Sequence, residues 1–105
     1  MFVISRAQID LLQQVLESVT GQNYTREIAQ NSDGVLLIAW KNDTHINYLL
    51  HIVARSYDSF QFCLAQQRWR DIQERYDCRL SKTEMLRLLN DPRQCVRYWV
   101  GQVVQ

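Results

Sequence analysis

The stretch Val35-Leu36-Leu37-Ile38-Ala39-Trp40 constrains the fold more than any other part of the chain. It is an unbroken apolar run, bounded by Asn31-Ser32-Asp33-Gly34 before it and Lys41-Asn42-Asp43 after it. A run this short between turn signals, with β-branched and aromatic side chains, predicts a strand rather than a helix. Its odd and even positions are both apolar, so the expectation is a central strand with both faces covered.

The neighbouring segments extend that strand into a sheet. From His45 to Arg55 the sequence alternates, with Ile46, Tyr48, Leu50, Ile52 and Ala54 on one face. His45, Asn47, Leu49, His51, Val53 and Arg55 occupy the other, half-polar face. This pattern predicts a strand with one core-facing side. Tyr24 to Gln30 alternates weakly and reads as an outer strand, joined to the apolar run by the Asn31–Gly34 turn. Phe60, Phe62 and Leu64 predict a fourth strand over 59–65, although Asp58 could instead cap a long helix there. With connections this short, neighbouring strands pair antiparallel as a meander.

Helical signals flank the strands. Ser5 and Gln8 fit a capping box, Gly21 marks a stop, and Ile9, Leu12, Leu16 and Val19 form a stripe widened by Leu11 and Val15. Phe2 and Ile4 staple that helix or add a short strand. Trp69, Ile72 and Tyr76 are spaced for a helix over 66–77. Ser81 and Glu84 form a second capping box, opening a helix through Met85, Leu86, Leu88 and Leu89 to Asn90. Asp91-Pro92 then caps a last helix carrying Val96, Trp99, Val100 and Val103. The expected fold is α+β: an N-terminal helix, an antiparallel four-stranded meander and three C-terminal helices in one domain, 1–105.

At 105 residues, such a chain can bury one core without disulfides or metal. Its apolar fraction of 47% is that of a soluble globule, and no run approaches the roughly 18 apolar residues of a membrane span. Cys63, Cys78 and Cys95 include no Cys-x-x-Cys pair. Reduced, buried thiols in a cytoplasmic protein without a secretory leader are the expectation.

Sites for chemistry are sparse. The sequence has no phosphate-binding loop, dinucleotide turn, nucleophile elbow or zinc-helix motif. With only three glycines, a loop that cradles phosphate through its backbone is hard to build. His45 and His51 share a strand face but stand ~20 Å apart along an extended chain, too far to ligate one metal. The expectation is a protein without catalysis, cofactor or metal. Ten of the twelve basic residues are Arg, and eight basic residues fall after position 65 against five acidic ones. A basic, Arg-rich C-terminal third suits an anionic partner.

The segment Leu80-Ser-Lys-Thr-Glu-Met-Leu-Arg-Leu-Leu-Asn-Asp-Pro-Arg-Gln-Cys-Val-Arg-Tyr-Trp-Val100 resembles the helix-turn-helix of bacterial and phage DNA-binding regulators. In that resemblance Leu89-Asn90 stands for the Leu-Gly pair that closes the first helix, with Asn90 suited to a left-handed turn. It implies that Arg93, Gln94 and Arg97 face the major groove while Val96 and Trp99 are core. Lys82 and Arg87 would then contact phosphates.

Two readings of function result. The first is a small binding or regulatory protein of inhibitor, immunity or adaptor type. It would contact another protein, or itself as a homodimer, through Arg68, Arg70, Arg75 and Tyr98, since Arg and Tyr are frequent interface hot spots. The alternative is a transcriptional regulator that binds nucleic acid through residues 82–103.

Overall fold

A computed structural model describes residues 4–31, 34–43, 45–69 and 72–100. The chain runs α1 (Arg6–Thr20), β1 (Thr25–Gln30), β2 (Val35–Asn42), β3 (His45–Ser56), β4 (Ser59–Trp69), β5 (Ile72–Leu80), α2 (Lys82–Leu89) and α3 (Pro92–Val100). The strands form one antiparallel sheet in chain order, β1-β2-β3-β4-β5. The α+β class and the meander are as expected; the element count differs.

The difference lies between 66 and 80. The stretch that the Trp69, Ile72 and Tyr76 spacing assigned to a helix continues β4 to Trp69 and returns as β5. Ala65 pairs with Arg75, Leu64 with Tyr76 and Phe62 with Cys78, so β5 finds its partner along most of its length. Helix-favouring Gln, Glu and Arg are overridden by that pairing, and Tyr76, Cys78 and Leu80 then fall with period 2 on the face of β4's Phe62 and Leu64. Among the described residues the sheet has five strands, and two helices follow it.

Local chemistry sets the ends of the elements. Ser5 caps α1, with both halves of the capping box in place, and Gly21 ends it at φ 69°. Ile4 and Ile9 flank this cap and are both buried, the geometry of a hydrophobic staple; Phe2 lies outside the described residues. Ser81 and Glu84 repeat the box at α2. Asp91 opens α3, accepting from the Gln94 and Cys95 backbone N–H groups at 3.1 and 3.2 Å. In the hairpin turns, Gly34 and Asp43 adopt positive φ, as the turn residues had suggested.

All three helices pack on one face of the sheet. Ile9, Leu12 and Leu16 of α1, Met85 and Leu89 of α2, and Val96 and Trp99 of α3 share one core with Leu36, Ile38, Trp40, Leu50, Ile52, Phe62 and Leu64. Every strand residue in that core is even-numbered. Trp99 joins the layers: its ring lies 4.9 Å from that of Trp40, edge to face, and its Nε1–H donates to the Leu49 carbonyl at 2.9 Å. The expectation that 35–40 is covered on both faces is therefore corrected. Leu36, Ile38 and Trp40 are buried beneath the helices, whereas Leu37 on the other face is 36% exposed. The strand is flanked on both edges, but β3 is the middle one.

Candidate functional site

Two surfaces and one recess stand out. The first surface is the sheet face away from the helices. The pairing places Ala29, Leu37, His51, Cys63 and Asp77 in one cross-strand row. Ala39, Leu49 and Ala65 form the next row, and Val35, Val53, Gln61 and Arg79 another. The middle of this face is thus mostly apolar across β2, β3 and β4. No helix or strand covers it among the described residues. Ala39, Cys63 and Ala65 are nonetheless buried. Polar pairs sit at its margins: Lys41 Nζ donates to Glu27 Oε1 at 2.8 Å, and Arg55 donates from Nη2 to Gln61 Oε1 at 2.6 Å. An apolar centre with a polar rim is the anatomy of a protein interface.

The second surface is a cleft of about 370 Å³ between α1 and α3, lined by Leu11, Gln14, Val15, Ser18, Val19, Arg93 and Arg97. Leu11 and Val19 are 48% and 41% exposed, so Val19 does not join the buried stripe the sequence suggested. One turn apart on α3, Arg93 and Arg97 both reach solvent. Neither has an acidic partner among the described residues.

The recess, of about 200 Å³, lies on the other side of α3 and is lined by Tyr76, Leu80, Glu84, Arg87, Leu88, Gln94 and Tyr98. Tyr76 and Tyr98 stack with centroids 3.9 Å apart and planes 3° from parallel. Gln94 Nε2 donates to the Tyr98 hydroxyl at 3.0 Å. The Tyr76 phenol is held well above its ordinary pKa, first by hydrogen bonding with Cys78, then by burial and by Tyr98. It stays protonated at neutral pH. Glu84 is shifted the other way, because its carboxylate accepts the Ser81 backbone N–H and pairs with the Ser81 side chain.

The residues singled out from sequence are dispersed by this geometry. Tyr98 is half-buried in its stack on the helix side of the sheet. Arg68 lies in β4, Arg75 pairs with Ala65 in β5, and Arg70 falls outside the described residues. Of the nucleic-acid candidates, Arg93 and Arg97 face the cleft while Gln94 turns to the recess with Arg87. Lys82 and Arg87 are exposed on α2, and the Lys82 backbone N–H donates to Asp58 Oδ1 at 2.9 Å. Asn90 is right-handed, at φ −84° and ψ 0°, and not left-handed as the resemblance implied. The reversal between α2 and α3 uses only Asn90 and Asp91, because Asp91 begins capping α3 at once. A DNA-binding helix-turn-helix commonly uses a turn of about 3–4 residues, often with Gly.

The cysteines lie in three elements, Cys63 in β4, Cys78 in β5 and Cys95 in α3. None of the three is in a disulfide. Burial, and then the Asp91 charge, push the Cys95 thiol up to about 12, and it donates to the Leu88 carbonyl at 3.3 Å. Among the described residues no three His, Cys, Asp or Glu side chains gather to hold a metal. No described helix is long and apolar enough to cross a membrane.

Sequence reasoning missed the cleft and the open face, though each left a trace. Leu11, Val15 and Val19 recur every four residues as a second stripe beside Leu12 and Leu16. Val35, Leu37, Leu49 and Val53 are apolar at positions where a sheet face in contact with water is usually polar. No family model, curated protein or solved structure matches this chain.

Proposed function

We propose that this chain is a non-enzymatic binding protein, of inhibitor, immunity or adaptor type, that works through its open sheet face. The observation that supports this reading is the group of apolar residues on that face, Val35, Leu37, Leu49 and Val53, half-buried to exposed and covered by no helix or strand among the described residues. An antiparallel sheet with one solvated side ordinarily alternates apolar and polar residues; contiguous apolar surface marks a site of association. The occupant is another protein or a second copy of the chain. Light scattering after size exclusion, followed by affinity capture from the native host, tests it. The wild type is expected to form a dimer or retain a stoichiometric partner. Leu37→Glu with Val53→Glu should abolish that association without lowering the melting temperature by more than a few degrees. A strict monomer that retains no partner overturns the reading, as does an association indifferent to both substitutions.

Binding of nucleic acid through 82–103 ranks second. The exposure of Arg93 and Arg97 on one side of α3 favours it. The separation of Gln94 from them, and the placement of α1 alongside α3, weigh against insertion of α3 into a major groove.

A further inference from the structure

We propose that the cleft between α1 and α3 is a docking groove for an acidic amphipathic helix of a partner protein. Leu11, Val15 and Val19 recur every fourth residue along one side of α1, an apolar strip ~12 Å long. Leu11 and Val19 keep nearly half of their surface in water, whereas the rest of the helix's apolar side, Ile9, Leu12 and Leu16, is in the core. Along the facing wall, Arg93 and Arg97 set two guanidinium groups one helical turn apart, with no acidic partner among the described residues.

The number of charges selects the occupant. A fatty acid or other monoanion brings one carboxylate and leaves one arginine unmatched. A helix carrying Leu at i, i+4 and i+8, with Glu or Asp spaced by four beside them, meets the apolar strip and both cations together. Helices dock in grooves through such i/i+3/i+4 anchors, at interaxial distances of about 8–10 Å. A second copy of this chain is a poor occupant, because the acidic residues of its helices are engaged. Asp10 pairs with Arg26, Glu17 accepts the Tyr24 backbone N–H, Glu84 closes the α2 capping box, and Asp91 Oδ1 accepts the Gln94 backbone N–H at 3.3 Å.

The cleft lies on the helical side of the sheet, opposite the open face, so the two binding activities are separable. The experiment titrates the whole chain into a fluorescent synthetic helix of about five turns, with Leu at i, i+4 and i+8 and flanking Glu, and follows anisotropy at low salt. Saturable binding is expected. Arg93→Ala/Arg97→Ala should weaken it about tenfold, and affinity should fall as added salt shortens the screening length to about 8 Å. Arg93→Glu/Arg97→Glu should exchange the preference, favouring a peptide with Lys in place of Glu, which a merely structural role for the arginines would not produce. Leu11→Ser/Val19→Ser should also weaken binding, and Leu37→Glu on the open face should leave it unchanged. No binding by the wild type, or equal binding of the Glu and Lys peptides, overturns the proposal. So does a duplex DNA that depends on the same arginines and is not displaced by the peptide. A dimer that dissociates on Arg93→Ala/Arg97→Ala makes a second copy the occupant and likewise overturns it.

Discussion

Gly34 and Gly21 both have positive φ, 81° and 69°, yet their surroundings differ. A Cβ on Gly34 would lie 2.7 Å from the Ala54 Cβ, whereas one on Gly21 would meet nothing within 4 Å. Gly34 ends the β1–β2 turn beneath the far end of β3, and its carbonyl accepts from the Ala54 N–H at 3.0 Å. Gly34→Ala therefore carries both backbone strain and a clash with a neighbour that cannot swing away, and should cost about 2–3 kcal/mol. Gly21→Ala carries the strain alone and should cost about 1 kcal/mol. Urea denaturation of the two variants checks the order; equal losses would show that the approach to Ala54 has no energetic weight. Sequence chemistry alone identified both glycines as turn or cap residues. The closeness of Ala54, twenty positions on, depends on strand register and is invisible to local reasoning.

Among the elements, those marked by caps, turn residues or clear apolar alternation were legible, and β5 was not. Ser5 with Gln8 and Ser81 with Glu84 mark α1 and α2 because the side chains that satisfy the first free N–H groups must sit at fixed offsets. β5 carries no such marker. Its residues favour a helix in isolation, and only the β4 ladder makes it a strand. The second cap also predicts a pH dependence. Glu84 is held below its ordinary pKa of 4.5 by its bonds to Ser81, so it binds a proton less readily in the folded state than in the unfolded one. The stabilisation is complete above 4.5 and is lost as pH falls through the lowered folded value. Melting temperatures from pH 7 to pH 2 should accordingly fall less steeply on acidification for Glu84→Gln than for the wild type. Parallel curves would mean that the carboxylate contributes nothing to the cap.

At the scale of the molecule, the distribution of support across the sheet follows from topology. Neither candidate surface was legible in the sequence as a site, since the cleft joins α1 to α3 across most of the chain and the open face needs four strands in register. β3 has a ladder on each edge, and its Leu50 and Ile52 are fully buried; β1 has one ladder, and nearly all its residues are exposed. What holds β1 besides β2 is α1. Arg26 donates to Asp10 Oδ1 and, at 2.9 Å, to Gln13 Oε1, while Gln13 Nε2 donates to the Tyr24 carbonyl at 2.9 Å. The clamp is charge-assisted and only partly exposed, which places it among the stronger side-chain contacts. Native-state hydrogen exchange should find the slowest amides in β3, opening only with global unfolding, and faster exchange in β1 through a local opening. Arg26→Ala removes the clamp without touching the core, so exchange in β1 should accelerate about tenfold, equivalent to ~1.4 kcal/mol, while β3 slows or speeds only with any change in global stability. If β1 and β3 accelerated by the same factor, β1 would open only with the whole sheet, and α1 would be holding the molecule together rather than its edge.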